Sequence, residues 1–407
     1  MPISTRPITE DERLKFRKQI SVGFGDDLEN PEQGAERFAA MMPLDRTVAA
    51  LDGDEIVGTL GAYPFDVTVP GGASMPTAGT TMVTVQNTHR RQGVMRSMMR
   101  DHLDDTAARG EALAALWSSE APIYGRFGFG QATSRDVVEI SEDALVVERP
   151  SEGAVRAIDA SDVTTLLRDV YDRVRRAKPG MLSRNPEWWK HNVADDPEFR
   201  RGGSSAKRFV VYESDGGVEG YVIYRQKSDW NDSLPEGKVK VSEVVAATDR
   251  AHSGLWHYLG NVDLFPIVTH WNMPTDDPLW WKLRDPRRAI RKRSDALYVR
   301  IIDVPAALGA RTYEGDGAIR IGVDDPFRAD TTGVYELAAT DGEGKAVAVD
   351  GDADVRLRID ALGALYLGGS NARSMASAGL IAGEPDAVAT LHRLFHTVAE
   401  PWCDSVF

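Results

Sequence analysis

Apolar and polar positions in the first 150 residues alternate between the two-residue period of strands and the 3.6-residue period of helices. One apolar face predicts helices at 14–22 and 93–109, and Gly110 is a typical helix C-terminal stop. Alternating or β-branched runs predict strands at 47–51, 56–69, 80–85 and 112–117. An antiparallel hairpin that leads into a strand–helix–strand unit predicts a mixed α/β sheet.

The same order of elements recurs further along the chain. After a linker-like stretch at 147–153, the pattern predicts a helix at 161–176 and another at 252–262. It predicts strands at 208–213, 218–224, 238–247 and 267–271. We therefore predict a diverged second copy of the first fold, although residue identity between the two halves is low.

The pattern changes again at about residue 295. Short alternating runs predict strands at 318–323, 334–339, 345–349 and 355–359, with helices at 361–367 and 385–397. The chain is thus predicted to form three α/β (α+β) domains, at 1–150, 151–292 and 293–407.

Composition narrows the class of protein. Of 407 residues, 42% are hydrophobic and 27% are charged, which excludes wholesale disorder and fibrous repeats. A net charge of −14 argues against a general nucleic-acid or anionic-membrane binder and suits a cationic substrate. Residues 303–360 hold 13 acidic and 6 basic side chains. We interpret that excess as a solvated sheet face, with a cation-binding surface as the alternative.

Targeting, redox and metal signals are weak. No run of about 18 apolar residues is present, and residues 1–16 lack an apolar signal core, which predicts a cytoplasmic protein. Cys403 is the only cysteine, so no intramolecular disulfide is expected. His392 and His396 are four residues apart but have no evident third ligand nearby, so we predict no metal.

The stretch 83–96, VTVQNTHRRQGVMR, carries more chemical information. A buried strand runs into an Arg-Arg-x-Gly turn that opens a helix, which points backbone N–H groups and the helix dipole at an anion. Gly93 allows close backbone approach, and Arg90, Arg91 and Arg96 add positive charge. The alternative is a basic corner that binds nothing.

This corner resembles the acyl-CoA pyrophosphate loop of the GNAT acetyltransferase superfamily, with Met95 where that motif usually has Gly or Ala. Residues 117–130, WSSEAPIYGRFGFG, resemble the signature of the enhanced-intracellular-survival (Eis) acetyltransferases. Residues 360–369, DALGALYLGG, are similar to that family's sterol-carrier-like last domain. The resemblance implies tandem GNAT-like mixed-sheet domains followed by a sterol-carrier-like α+β domain.

The resemblance also implies an activity. Members of the family transfer an acetyl group from acetyl-CoA to amines, and several act on aminoglycosides, at more than one position. It assigns Tyr124 as general acid and the terminal carboxylate of Phe407 as base. A phenol with a pKa of about 10 keeps its proton at neutral pH, whereas a carboxylate with a pKa of about 3.5 is a weak base. The alternatives are a tyrosine packed in a glycine-rich turn and a frayed terminus.

Further contacts are implied residue by residue. Acetyl-CoA is expected at Val83, Val85, Arg90, Arg91, Gly93, Val94, Arg96 and Ser119. The amine pocket is expected at Phe24, Asp26 and Trp117. Trp117 stands where some relatives have His, and Val406 where some have Glu; both departures shrink or neutralise the pocket.

The second unit lacks the arginine-rich loop. Its corner, 248–254, reads TDRAHSG, and Asp249 would repel a pyrophosphate. We therefore predict one acetyl-CoA site per chain, with the second unit as a structural partner that walls the amine cleft. Paired tryptophans at 188–189 and 280–281 suit that wall, although core or interface positions are commoner for such pairs. The family implies a homo-oligomer, a hexamer.

Three kinds of function remain open. A small cationic amine, an aminoglycoside above all, is the leading substrate; a lysine side chain, a peptide or a small metabolite amine is the second. The third is a non-catalytic lipid-binding or scaffold protein.

Overall fold

The computed structural model describes residues 3–25 and 31–407. It divides into two compact units. The first comprises Met1–Thr133, Ala296–Val398 and Ser405–Phe407, and the second comprises Ser134–Asp295 and Ala399–Asp404. No helix in the described ranges is long and apolar enough to cross a membrane.

Strands and α-helices are interspersed along the whole chain. The strands, in chain order, are β1 (Ser4–Arg6), β2 (Thr47–Asp52), β3 (Glu55–Thr68), β4 (Ser74–Val85), β5 (Leu113–Trp117), β6 (Gly130–Gln131), β7 (Ser134–Ser141), β8 (Ala154–Ile158), β9 (Arg208–Ser214), β10 (Gly217–Lys227), β11 (Trp230–Asn231), β12 (Leu234–Pro235), β13 (Lys238–Ala246), β14 (Ile267–Met273), β15 (Ala289–Asp295), β16 (Leu297–Ile301), β17 (Gly317–Asp324), β18 (Gly333–Thr340), β19 (Glu343–Val349), β20 (Val355–Arg358) and β21 (Ile381–Gly383). The α-helices are α1 (Arg13–Phe24), α2 (Pro31–Met41), α3 (Val94–Ala108), α4 (Ala121–Tyr124), α5 (Val163–Arg175), α6 (Pro186–Trp188), α7 (Asp249–Leu259), α8 (Val304–Ala310), α9 (Ile359–Tyr366), α10 (Ala372–Ser377) and α11 (Pro385–Phe395).

The first sheet has the order β1-β2-β3-β4-β5-β16-β6. Its only parallel neighbours among the described strands are β4 and β5, which α3 connects. Met98, Met99 and Leu103 of α3 are fully buried against the sheet, as the apolar face of the helix predicts. The two predicted helices and the predicted strands of this region are confirmed, whereas β1, α2, α4 and β6 were not predicted.

The second sheet repeats this topology in the order β15-β7-β14-β13-β10-β9-β8. Its parallel pair is β13 and β14, which α7 connects. The strand beside β14 is β7, from before the second helix–strand unit, whereas the strand beside β5 is β16, from after it. The first sheet therefore gains β16, which follows the whole second sheet in the chain, and the second sheet gains β7, which directly follows β6 of the first. Local periodicity does not reveal this exchange of strands. The sequence division gives 134–141 to the first domain, but β7 lies in the second sheet.

The third sheet has the order β19-β18-β17-β20-β21 and lies in the first unit with α8 to α11. Ten of the 13 acidic residues at 303–360 are exposed and only Asp325 is buried, as both the solvated face and the cation-binding surface require. Asp325 pairs with Arg300 of β16, and both side chains are fully buried.

Glycines let the last domain approach the first sheet closely. A Cβ on Gly130 of β6 would lie 1.8 Å from the carbonyl oxygen of Asp360, at the start of α9. A Cβ on Gly363 of α9 would lie 2.3 Å from the carbonyl oxygen of Val299 in β16. These glycines belong to the two motifs that carry the family resemblance, so part of each motif serves helix-on-sheet packing.

Candidate active site

The parallel strands β4 and β5 separate in the middle of the first sheet. They pair only from Thr77 to Gly79 and from Leu113 to Ala115, although β4 runs on to Val85 and β5 to Trp117. Beyond Gly79, β4 stays paired with β3, whereas its backbone N–H and C=O groups on the β5 side face a fork instead of a neighbouring strand. Such groups suit an extended polar ligand, because each backbone donor and acceptor needs a partner.

A β-bulge directs the backbone of β4 at this fork. The register with β3 shifts between Thr59 and Gly61, and Met82 has a left-handed φ of 55°. Thr59 fixes the bulge, since its Oγ1 donates to the Met82 carbonyl oxygen at 2.7 Å and contacts Thr84 Oγ1 at 2.7 Å. Bulges often lie beside active sites because they re-aim one residue. Here the bulge places Met82 and Val83 together opposite Leu60 of β3.

The predicted anion corner follows β4. Arg91 has a φ of 64° and Gly93 a φ of 83°, and α3 begins at Val94. Gly93 is the N-cap residue, and no side chain of the described residues caps the helix. The first N–H groups of α3 thus point outward with the positive end of the helix dipole. A Cβ on Gly93 would meet nothing within 4 Å, so the space beside these donors is open.

The three arginines of the corner are all exposed. The guanidinium of Arg96 lies 5.2 Å from the centre of the Phe327 ring in the last domain, which orients it one turn into α3. The geometry fits the pyrophosphate of an acyl-CoA, which needs open backbone donors and mobile cations together.

Tyr124 ends α4, the short helix after β5, and belongs to the hydrophobic cluster on which Val83 and Val85 of β4 pack. Its side chain is 6% exposed and its ring meets the edge of Phe129 with a centroid distance of 6.1 Å. Burial, followed by the charge of Glu120, raises the pKa of Tyr124 to about 12, and a hydrogen bond with Ser119 opposes that rise. Tyr124 therefore stays protonated at every physiological pH.

Ser118 was not singled out by sequence reasoning. Its hydroxyl is buried and has no hydrogen-bond partner among the described residues. It directly follows β5, so an unsatisfied donor is present at the fork, where buried polar groups are normally paired. The only sequence signal was its place beside Ser119 in the signature.

The end of the chain lies at the same fork. Trp117 Nε1 donates to the Ser405 carbonyl oxygen at 2.9 Å. The ring of Phe407 contacts the ring of Phe65 with a centroid distance of 5.0 Å. A Cβ on Gly79 would lie 3.3 Å from the Phe407 ring. Ser405 and Phe407 are therefore held against the end of β5 and the paired part of β4, whereas Val406 is exposed.

The predicted amine-pocket residues have different outcomes. Gly23 of α1 packs on β4, since a Cβ there would lie 2.4 Å from Thr84 Cβ. Phe24 follows Gly23 at the end of α1, and its side chain is 51% exposed. Trp117 holds the terminal segment through its indole, a role that the sequence did not predict. Asp26 lies outside the described residues.

The corresponding corner of the second unit has the opposite chemistry. Thr248 caps α7, with its Oγ1 accepting from the Ala251 N–H at 3.2 Å. The same hydroxyl donates to the Glu219 carboxylate at 2.7 Å. Arg250 Nε donates to this carboxylate as well, also at 2.7 Å. The start of this helix already holds a protein carboxylate and has its own cap. Within the described ranges, no group of three or more His, Cys, Asp and Glu side chains is placed to hold a metal ion.

Family models place this geometry among known proteins. Two models described as acetyltransferase (GNAT) domains match residues 4–132 and 180–301, and a sterol carrier protein domain model matches 304–404. The chain is therefore a GNAT-type N-acetyltransferase with tandem GNAT domains and a sterol-carrier-like last domain.

Relatives narrow the family. An N-acetyltransferase of Streptomyces avermitilis is 37% identical over 99% of both chains. The N-acetyltransferase Eis of Mycobacterium tuberculosis is 32% identical over 91% of this chain and 90% of its own. The crystal structure of Eis1 from Mycobacterium abscessus covers 99% of this chain and 100% of its own, with a TM-score of 0.86 and 28% identity. The chain belongs to the Eis-like family of GNAT acetyltransferases, as its motifs predicted.

Proposed function

We propose that this enzyme transfers the acetyl group of acetyl-CoA to an amine of a small cationic substrate, with an aminoglycoside as the favoured class. The proposal is carried by the site in the first unit: the uncapped start of α3 follows the bulged strand β4, Tyr124 belongs to the cluster on which Val83 and Val85 pack, and the Phe407 ring contacts Phe65. The overall net charge of −14 favours the approach of a cation.

The cofactor side uses the first unit only. The first N–H groups of α3, with Arg90, Arg91 and Arg96, hold the pyrophosphate. The backbone at Val83 and Val85 pairs with the extended pantetheine arm and orients the thioester carbonyl. The Ser118 and Ser119 hydroxyls supply donors beside it.

The chemical step needs two proton movements. Once the ammonium group has lost one proton to solvent, the neutral nitrogen forms a C–N bond to the thioester carbonyl carbon, and the terminal carboxylate of Phe407 receives the second proton that this nitrogen loses. As the C–S bond breaks, Tyr124 donates to the sulfur. A phenol whose pKa burial raises to about 12 is a weak acid but a persistent donor, so hydrogen bonding to the developing thiolate is its main contribution.

Tyr124→Phe tests the acid role. We expect kcat to fall by about 100-fold or more, in the range of a lost general acid, with acetyl-CoA affinity unchanged. Thiol release and calorimetry measure the two quantities. Tyr335→Phe is the matched control, because it also removes a buried hydroxyl, one that donates to the Thr331 carbonyl oxygen in the last domain. Equal kcat in Tyr124→Phe and wild type would remove Tyr124 from the mechanism.

An extension after Phe407 tests the terminal carboxylate. We measure thiol release from acetyl-CoA with a panel of aminoglycosides, lysine peptides and small metabolite amines, using untagged protein and protein with a few added residues. Loss of turnover in the extended protein supports the base role, and equal turnover contradicts it. If only lysine peptides or metabolite amines are acetylated, that class of amine replaces aminoglycosides as the assigned substrate. No turnover with any amine and no acetyl-CoA binding would favour a lipid-binding or scaffold protein.

The family resemblance also leads us to propose a homo-oligomer, a hexamer. Light scattering of the untagged protein tests that state, and a monomeric mass would contradict it.

A further inference from the structure

The second sheet contains a fork like that of the first. Its parallel strands pair only over Lys238–Val241 in β13 and Ile267–His270 in β14, although both strands run on. The register of β13 with β10 shifts between Val241 and Glu243, as the register of β4 shifts at its bulge. In the first unit this geometry was assigned to the acyl-CoA.

In the second unit the chain's own residues 402–404 meet this fork. Asn272, two residues beyond the last paired position of β14, donates from Nδ2 to the carbonyl oxygens of Cys403 at 3.0 Å and Asp404 at 3.3 Å. The backbone N–H of Trp402 donates to the Pro179 carbonyl oxygen at 2.8 Å. One backbone donor and two backbone acceptors of the segment thus have partners in the second unit.

A buried arginine joins this segment to the other strand of the fork. Arg184 donates to both carboxylate oxygens of Glu243, at 3.0 and 2.7 Å, and to the Asp404 carboxylate. Tyr171 donates to Asp404 Oδ1 at 3.1 Å. The side chains of Arg184 and Asp404 are only 3% and 1% exposed.

Such a cluster is costly to build. One arginine faces two carboxylates, and burial raises the pKa of Asp404 to about 6 against the opposing effect of Arg184. A buried charge is tolerated only with well-placed partners, so removing one partner is strongly unfavourable. The arrangement favours one fixed position for Asp404.

Three residues separate Asp404 from the terminal carboxylate. Three residues span at most about 10 Å when extended, so a fixed Asp404 limits where that carboxylate can lie. We propose that the fork of the second sheet is the anchoring site of the chain's own C-terminal segment, and that Asp404 is a positioning residue for the carboxylate of Phe407. This inference rests on the proposed function, because it assigns the anchor a role in acetyl transfer.

The test combines an isosteric charge removal with a direct view of the segment. In full-length Asp404→Asn we measure hydrogen exchange of the peptide covering 399–407, together with kcat, KM for the amine and acetyl-CoA affinity. We expect exchange in this peptide to accelerate and kcat to fall about tenfold or more, with acetyl-CoA affinity unchanged, because misplacing a catalytic group by about 1 Å costs up to about 100-fold. Arg184→Lys, which keeps the charge, should retain more activity than Arg184→Met.

The control is Asp386→Asn, the same chemical change on the exposed side of α11, which should match wild type in every readout. Wild type alone gives a check that needs no variant, since the N–H groups of Glu400 and Trp402 are hydrogen-bonded and should exchange slowly. Fast hydrogen exchange at both of these N–H groups in wild type would overturn the proposal that the second sheet anchors the C-terminal segment.

The outcomes separate the two proposals. Unchanged exchange or unchanged kcat in Asp404→Asn, with an active wild type, would overturn the positioning role. An inactive wild type whose Asp404→Asn variant still exposes the segment would contradict the proposed function and leave the anchor itself supported.

Discussion

The β4–α3 corner and the β13–α7 corner have the same topology and opposite chemistry. The first begins its helix at Gly93 with no side-chain cap among the described residues, beside three exposed arginines. In the second corner the Thr248 side chain caps the helix, and its hydroxyl also donates to the Glu219 carboxylate. A strand–helix corner is thus only a frame for an anion site, and the residues at the turn decide whether an outside anion or the protein's own carboxylate uses it.

The two forks extend the same contrast. In the first unit the strand ends face Tyr124 and the chain terminus, whereas in the second they face residues 402–404 of the chain itself. Family models classify both halves as acetyltransferase domains. Fold likeness therefore does not assign a cofactor to each half, because binding depends on the site.

We expect the largest loss of acetyl-CoA affinity from an acidic substitution at the β4–α3 corner. Gly93→Asp places a carboxylate at the N-cap of α3 and strains a φ of 83°. We expect acetyl-CoA to bind about 100-fold more weakly, or about 2.7 kcal/mol. Calorimetry measures this change.

Gly110→Asp is the matched control. Gly110 has a φ of 73° and open space around its Cβ position, but it lies at the other end of the same helix. It should lose stability in a comparable way and keep acetyl-CoA affinity. Similar affinity losses in the two variants would show that strain, and not the anion corner, is responsible.

A smaller effect is expected from removing charge without changing the backbone. Arg90→Gln combined with Arg91→Gln should weaken acetyl-CoA binding about tenfold, since exposed charges contribute modestly. It should also flatten the dependence of affinity on salt, because fewer charges are screened. Arg287→Gln removes an exposed arginine of the second unit and should change neither quantity. If acetyl-CoA affinity in the double variant depends on salt as strongly as it does in wild type, Arg90 and Arg91 do not bind the pyrophosphate.

The smallest effect concerns the second corner. Hydrogen bonding from Arg250, chiefly, lowers the pKa of Glu219 to about 2. A carboxyl group with a lowered folded-state pKa stabilises the fold above its unfolded pKa of about 4.3 and loses that contribution as pH falls toward about 2. Glu219→Gln should therefore lower the urea midpoint clearly at pH 7 and less at pH 3, with acetyl-CoA affinity unchanged.

Glu213→Gln is its control, since Glu213 pairs with Arg156 on the exposed surface, where ion pairs contribute little. If the Glu219→Gln deficit is as large at pH 3 as at pH 7, the carboxylate charge is not what stabilises this corner.

Local periodicity predicted most elements of the three sheets, because strands and helices with one buried face leave clear two-residue and 3.6-residue patterns. It did not predict the exchange of β7 and β16, since both strands have the same apolar alternation in either sheet. The family resemblance brought Tyr124, Phe407 and the arginine corner together, but Ser118 and the Trp117–Ser405 contact depend on tertiary packing. The sequence did not predict a role for Asp404, because its partners Arg184, Glu243 and Asn272 are distant from it in the chain.

The central claim is that one chain binds one acetyl-CoA, at the corner that opens α3. Calorimetric titration of full-length protein with acetyl-CoA measures this stoichiometry directly. We predict one site per chain in wild type, and binding about 100-fold weaker in Gly93→Asp. Two sites per chain, or unchanged binding in Gly93→Asp, would contradict the account.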